Sequence, residues 1–137
     1  MAFWLMKSDP EEWPWADQVA AGTAEWDGVR NYQASNNLKA MRRGDCAFFY
    51  HSGGETRIMG VVEVTREYYP DPSDPARRFG MVDVKALRAA TTPVPLAAIK
   101  AEPRLLHLAL VRQPRLSVMP VDAKSWALLS KMAGLAP

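Results

Sequence analysis

Two strand-forming runs in the middle of the chain, separated by a pair of glycines, constrain the fold most. Residues 46–52 and 58–64 are mostly apolar, with aromatic side chains in the first run and β-branched side chains in the second. Gly53-Gly54 between them favours a hairpin-like turn. Strands joined by a short turn pair antiparallel, whereas parallel neighbours need a long crossover connection. The pattern therefore argues against a doubly wound sheet built from regular βαβ units.

Short strands and short helices alternate around this hairpin. In residues 81–87, Val82 and Val84 alternate with Asp83 and Lys85, which is typical of a half-buried strand. Residues 69–79 hold three prolines and several charges and predict a flexible loop inserted between strands. We therefore predict an α+β fold, with a mixed, mostly antiparallel sheet curled into a barrel and helices packed around it. The other predicted strands are residues 2–6 and 115–119. Helices are predicted from Pro10 towards Ala21, from Asn31 to Met41, from Pro95 and after Asp122. The sequence does not distinguish helix from strand in residues 105–111.

The bulk properties limit the class of protein. The 137 residues suit one domain, predicted to span the whole chain, and the net charge is only +2. Any contact with nucleic acid must therefore come from local clusters of charge. A single cysteine, Cys46, excludes an internal disulfide and is predicted to be a buried, inert thiol. We find neither an apolar run of about 18 residues nor a secretory leader, so we predict a cytoplasmic protein without a membrane span.

Polar and aromatic residues are concentrated in four segments, each at the end of a predicted strand or the start of a predicted helix. Side chains in such positions can converge on one mouth of a barrel. The segments are Lys7-Ser8, residues 26–31 (Trp-Asp-Gly-Val-Arg-Asn), residues 49–52 (Phe-Tyr-His-Ser), and Arg112-Gln113 together with Arg115-Leu116-Ser117.

The second segment offers the most specific chemistry. Trp26 lies in a predicted turn beside Gly28, where it can form a stacking wall for a base, worth about 1–3 kcal/mol. The alternative is that Trp26 fills the core. Arg30 and Asn31 can contact base edges or phosphate. Their alternatives are a surface salt bridge for Arg30 and a helix cap for Asn31.

The sequence contains no residue pattern typical of a catalytic or metal-binding site. His51 and Ser52 are adjacent on a predicted strand, so their side chains point to opposite faces and cannot pair as base and nucleophile. His107 lies in an apolar context and is predicted to pack or to cap a helix. Two scattered histidines and one cysteine lack the spacing of metal ligands, and the chain has no glycine-rich phosphate-binding loop. We therefore predict no catalytic residue, no metal and no cofactor.

The four segments, in this order, resemble the EVE domain family, and the similarity runs essentially from end to end. The matching stretches are residues 4–10 (WLMKSDP), 26–34 (WDGVRNYQA), 48–52 (FFYHS), and Arg112-Gln113 followed by residues 115–118 (RLSV). EVE domains belong to the PUA-like group, related to ASCH and YTH domains. The resemblance implies a small pseudo-barrel with surrounding helices that binds nucleic acid. It also implies a pocket for a modified base, with modified cytosine favoured.

By this resemblance Trp26 is a pocket wall, and Lys7, Ser8, Asn31, Tyr50, His51 and Ser52 line the pocket. Asp27, Val29 and Phe49 complete the predicted base-binding set. Arg30, Arg112 and Arg115 are predicted to contact phosphates or base edges, with Gln113 and Ser117 beside them. One departure is that the family commonly has a longer loop at residues 69–79.

Three functional hypotheses follow. The first is a non-enzymatic module that holds one flipped, modified base of DNA or RNA in an aromatic pocket. The second is an ASCH-like hydrolase of a modified nucleoside, with Lys7 as base, Ser8 as nucleophile and Glu63 or Asp27 as the orienting group. The third is a general RNA-binding domain without base preference.

Overall fold

The computed structural model describes residues 1–135, whose strands form one six-stranded mixed sheet. Strand β1 pairs parallel with β3, and every other pair of neighbours is antiparallel. The predicted hairpin is confirmed as β3 and β4. The strands are β1 (Phe3–Ser8), β2 (Thr23–Glu25), β3 (Cys46–His51), β4 (Arg57–Pro70), β5 (Gly80–Pro95) and β6 (Val118–Val121), in the order β2-β5-β4-β3-β1-β6.

The helices are short and lie between the strands. They are α1 (Trp15–Ala21), α2 (Tyr32–Ala40), α3 (Leu96–Lys100), α4 (Ala109–Arg112) and α5 (Ala123–Met132), with a 3₁₀ turn at Pro103–Leu105. Helix α1 begins later than predicted because Pro14 disfavours helical backbone in the residue before it. The Asp122 side chain caps α5 as predicted, accepting a hydrogen bond from the Ser125 N–H at 3.1 Å.

The predicted barrel is wrong, because the sheet is open. Strands β2 and β6 form its two edges and do not pair with each other. They are only three and four residues long. Helix α2 packs against β4, β5 and β6, so it fills the space between the two sides of the sheet. A helix in that position leaves no room for the strand pairing that closure would need.

Strands β4 and β5 are longer than predicted and are bent by several register shifts. At Gly60 an added Cβ would lie 2.4 Å from Cζ2 of Trp15 and 2.6 Å from the Arg88 carbonyl oxygen, so only glycine fits there. Because Tyr69 and Pro70 belong to β4, the connection to β5 comprises residues 71–79 alone. Two buried carboxylates of this connection, Asp71 and Asp74, accept hydrogen bonds from the N–H groups of Gly28 and Phe79. Its flexibility stays a prediction.

The core lies between the sheet and its helices and is rich in aromatic residues. Trp126 of α5 stacks on Phe3 and Phe48, with ring centroids 4.5 and 3.9 Å apart. The Trp4 indole N–H donates to the buried carboxylate of Asp45 at 3.1 Å. Cys46 is only partly buried, whereas the sequence predicted a buried thiol.

Candidate nucleic-acid interface

A cleft of about 520 Å³ opens where β1 and β2 end, and we call it the tryptophan cleft. Two indole rings, those of Trp13 and Trp26, border it. Four carboxylates and one ammonium group also border it. The full lining is Lys7, Ser8, Asp9, Glu12, Trp13, Ala24, Glu25, Trp26 and Asp27.

Trp26 is a core residue that also borders the tryptophan cleft. Its side chain is buried and meets Phe49 edge-on, with centroids 5.5 Å apart and ring planes at 88°. Phe49 makes a second edge contact with Trp15 at 5.2 Å. Phe49 is therefore a core residue that supports Trp26 from behind, and Trp26 presents its remaining surface to the cleft.

Trp13 was missed as a site residue. Its ring is partly buried, and its N–H donates to the side-chain oxygen of Gln18 at 2.9 Å, which fixes the ring orientation. Glu12 and Trp13 follow Lys7-Ser8 within one turn, closed by hydrogen bonds from both of their N–H groups to the Asp9 carbonyl. The short distance along the chain between Trp13 and Lys7-Ser8 is the sequence feature that could have predicted its place at the cleft.

A second cleft of about 280 Å³, the hydroxyl cleft, lies on the other side of Lys7. Its polar groups are mostly hydroxyls, together with two cationic side chains. Lys7 borders both clefts, and its Nζ donates to the Pro114 carbonyl at 2.8 Å. Burial lowers the pKa of Lys7 from its usual value. The lining is Lys7, Tyr50, Ser52, Thr56, Leu96, Leu110, Pro114, Arg115 and Ser117.

Three predicted base-binding residues are engaged in holding the site together. The His51 Nε2 accepts a hydrogen bond from the Trp15 N–H at 3.0 Å, so this nitrogen is unprotonated. Burial lowers the pKa of His51, and the nearby Arg57 lowers it further, which favours the neutral ring. The Ser8 hydroxyl donates to the Trp13 carbonyl at 2.5 Å, and Val29 is buried in the core.

Arg30 and Asn31 take the structural roles that the sequence offered as alternatives. The Arg30 guanidinium donates to the Asp71 carboxylate at 3.2 Å and to the Ser73 hydroxyl at 2.9 Å. The Asn31 side chain caps α2, accepting from the Ala34 N–H at 2.9 Å. The Arg30 ion pair differs from the predicted surface pair, because the Asp71 side chain is fully buried.

Asp71 is held as an anion. Burial alone would raise its pKa, but hydrogen bonds from Ser73, the Gly28 N–H and Arg30 outweigh that effect and lower the pKa to about 2. Because Gly28 and Arg30 belong to the segment that carries Trp26, this carboxylate joins the connection 71–79 to the wall of the tryptophan cleft.

Some of the remaining predicted contact residues border a cleft, and others do not. Arg115 and Ser117 border the hydroxyl cleft together with Tyr50 and Ser52. Arg112 and Gln113 are exposed at the end of α4 and border neither cleft. Asp27 is exposed at the rim of the tryptophan cleft, where Asp9, Glu12 and Glu25 join it without having been predicted.

Of the groups in the hydrolase hypothesis, Lys7, Ser8 and Asp27 border the tryptophan cleft together. The Ser8 hydroxyl and the Lys7 ammonium donate to two different backbone carbonyls. Glu63 pairs with Lys85 at 3.3 Å and borders neither cleft. His107 lies against Asp122 at 2.7 Å, at the start of α5. Within residues 1–135, no three histidine, cysteine or carboxylate side chains cluster in a way that could hold a metal ion.

Comparison with known proteins decides the family. The profile of the EVE domain matches residues 2–132. The chain belongs to the EVE domain family. The resemblance inferred from the four segments is thereby confirmed. In the described part of this EVE domain, no helix is long and apolar enough to cross a membrane.

Several relatives of this EVE domain are known. An NMR structure of a protein from Rhodopseudomonas palustris is 51% identical, with a TM-score of 0.93, and covers 100% of this chain and 96% of that one. Human thymocyte nuclear protein 1 is 36% identical over 90% of this chain and 70% of its own length. A crystal structure of human THYN1 in complex with 5-methylcytosine-containing DNA is 32% identical, with a TM-score of 0.93 and 100% coverage of both chains.

A more distant likeness concerns the fold alone. The YTH domain of a Zygosaccharomyces rouxii protein is 14% identical, with a TM-score of 0.62, and covers 96% of this chain and 86% of that one. The EVE domain described here therefore has the mixed α+β architecture that the resemblance implied, with an open sheet in place of a closed barrel.

Proposed function

We propose that this EVE domain is a non-enzymatic reader that holds one flipped, modified cytosine of a nucleic acid in the tryptophan cleft. The observation that carries the proposal is the pair of indole rings, Trp13 and Trp26, at one cleft beside Lys7. Human THYN1, which is similar over its whole chain, was crystallised with 5-methylcytosine-containing DNA. That relative supports a cytosine as the ligand.

The aromatic walls would repay the energy of base flipping. Taking a base out of its stack costs a few kcal/mol, and least in a single strand. Stacking on an aromatic side chain returns about 1–3 kcal/mol per base. Phe49 behind Trp26 and Gln18 bonded to Trp13 hold both rings in place, so little ordering is needed when the base enters.

The carboxylates of the cleft favour a base that donates hydrogen bonds. Ionised Asp and Glu side chains only accept, and the N4 amino group of cytosine is a donor. Uracil and thymine present a carbonyl oxygen at that position, which a carboxylate repels. A 5-methyl group adds only about 0.8 kcal/mol when buried, so we expect modest discrimination between methylated and unmodified cytosine. A hydroxymethyl group can also form a hydrogen bond and can be selected more strongly.

The hydroxyl cleft is the matching site for the sugar and phosphate. Its cations, Lys7 and Arg115, and the hydroxyls of Tyr50, Ser52 and Ser117 are suitable phosphate partners. The carboxylates of the tryptophan cleft repel a phosphate. Lys7 borders both clefts and would lie between the base and its backbone.

The test compares binding to short oligonucleotides by fluorescence anisotropy. Each carries one unmodified, methylated or hydroxymethylated cytosine, or one methylated adenine, as DNA and as RNA. Trp26→Leu and Trp13→Ala should each weaken binding of the preferred oligonucleotide about fivefold or more. Trp15→Leu is the matched control, because Trp15 also packs on Phe49 but does not border the cleft.

Circular dichroism and thermal unfolding establish that each variant is folded. Wild-type affinity in folded Trp26→Leu and Trp13→Ala would refute the pocket assignment. Affinity that rises with strand length and ignores the base would instead favour the general RNA-binding hypothesis. Release of a product from a modified nucleoside would favour the hydrolase.

A further inference from the structure

We infer that the nucleic-acid surface extends from the tryptophan cleft onto the connection between β4 and β5. Nucleotides that flank the flipped base would lie on three exposed side chains, those of Tyr32, Arg77 and Arg78. Tyr32 and Arg78 lie against Phe79, and Arg77 is the next residue along the chain, so we call this surface the Phe79 platform. This inference rests on the proposed function, because it concerns the rest of the same strand.

The Phe79 platform is an exposed aromatic ring with cations beside it. Tyr32 is 61% exposed, yet its ring lies 4.9 Å from the buried ring of Phe79. The guanidinium carbons of Arg30 and Arg78 lie 5.8 and 5.9 Å from the same ring. Aromatic side chains that stack bases, beside cations that follow the backbone, are the usual means of binding single strands.

The two arginines are free to meet phosphates. Arg77 and Arg78 are both exposed, and neither forms an ion pair with any residue that the structure describes. By contrast, Arg30 is occupied by Asp71. In a chain of net charge +2, two adjacent unpaired guanidinium groups form a local positive cluster that suits a polyanion.

Buried carboxylates hold the platform in one conformation. The Asp74 side chain accepts hydrogen bonds from the N–H groups of Ala76, Arg78 and Phe79, at 3.1, 2.7 and 2.9 Å. Within residues 1–135, Arg77 is the one non-glycine residue with positive φ, at 56°. Such a backbone conformation is costly for a residue other than glycine, asparagine or aspartate, and persists only where its surroundings impose it.

The platform is also fixed relative to the cleft. Asp71 accepts from the Gly28 N–H at 2.8 Å and from Arg30, both close in sequence to Trp26 and Asp27. Tyr32 begins the helix that follows the same segment. A strand that inserts one base beside Trp26 therefore has its neighbouring nucleotides close to the platform. Their phosphates need cations, which the carboxylates of the tryptophan cleft do not supply.

The experiment measures how affinity for a single-stranded oligonucleotide with one 5-methylcytosine depends on salt. The double variant Arg77→Asn/Arg78→Gln removes both charges and keeps a residue that tolerates positive φ at position 77. The matched control is Arg42→Asn/Arg43→Gln, an exposed pair beyond the other end of α2. The slope of log K against log salt is negative, and with single strands its magnitude decreases by about 0.7 for each lost phosphate contact.

We expect the magnitude of this slope to be smaller by about 1.4 in the platform variant and unchanged in the control variant. Tyr32→Ala should weaken oligonucleotide binding several-fold. None of these variants should change the preference for methylated cytosine or the binding of the nucleoside 5-methyl-2′-deoxycytidine. Salt slopes that are equal in wild type, platform variant and control would overturn the inference.

The outcomes separate this inference from the proposed function. A normal salt slope in the platform variant, with base preference lost in Trp26→Leu, refutes the platform and leaves the base pocket intact. A reduced slope in the platform variant, with unchanged base preference in Trp26→Leu, refutes the base pocket and retains the platform. No binding by the wild-type protein overturns both.

Discussion

Replacing Asp71 by asparagine tests whether this carboxylate joins the connection 71–79 to the segment that carries Trp26. Hydrogen bonds from Ser73, the Gly28 N–H and Arg30 lower the pKa of Asp71 from 3.8 to about 2, so the folded state favours the anion. Each unit corresponds to about 1.4 kcal/mol, so the ionised group contributes about 2 kcal/mol to the free energy of unfolding. The side chain is fully buried, so solvent does not screen this contribution. Asp71→Asn should therefore be less stable than the wild type by about that amount at pH 7.

The pH dependence gives the sharper measurement. Because the folded-state pKa is lowered, the contribution is present above the unfolded pKa near 4 and is lost as pH falls towards 2. The difference between wild type and Asp71→Asn should shrink by about 1 kcal/mol between pH 7 and pH 3. Urea unfolding of both proteins at each pH measures it, and other titrating groups cancel in the difference. An identical difference at both pH values would refute the reasoning.

Three further outcomes follow from the geometry. Gly60→Ala should lower Tm and destabilise the protein by about 1–3 kcal/mol, because its Cβ would overlap the Trp15 ring and the fixed Arg88 carbonyl; an unchanged Tm would contradict the close approach. In an NMR titration the pKa of His51 should lie below 6.5, and stability should fall as the pH drops below 6.5, because the unfolded chain binds the proton before folded His51 does; a normal midpoint would contradict the burial of the neutral ring. Asn31→Ala should cost about 1 kcal/mol by uncapping α2 and should leave base preference unchanged; altered preference would assign Asn31 to the ligand instead.

Several elements of the fold could be predicted from local sequence. The glycine pair between two apolar runs predicted the β3–β4 hairpin, and alternation predicted the first half of β5. The side chains of Asn31 and Asp122 marked the starts of α2 and α5, because a cap bonds the N–H three residues on. These features depend on neighbours along the chain, and so they can be read without the tertiary structure.

The site was predictable only in part. Within the segment 26–31, only Trp26 and Asp27 border the tryptophan cleft, and Trp26 is also buried in the core. That a base stacks on Trp26 stays a prediction. Trp13 was missed because it reaches the cleft that Trp26 borders only through the turn after β1. Whether the predicted base and phosphate contacts touch nucleic acid stays a prediction.

Only the tertiary structure shows which residues that are distant in sequence pair with each other. The three residues of β2 carry no strand pattern of their own and become a strand because β5 accepts them at its edge. The partner of Arg30 is 41 residues away, and a salt bridge with it leaves no trace in local sequence. The sheet stays open because α2 packs between its two sides. The sequence by itself therefore determined the central hairpin, the caps of α2 and α5 and the resemblance to the family. Burial of distant groups against one another determined the shape of the clefts, because such packing depends on the whole chain at once.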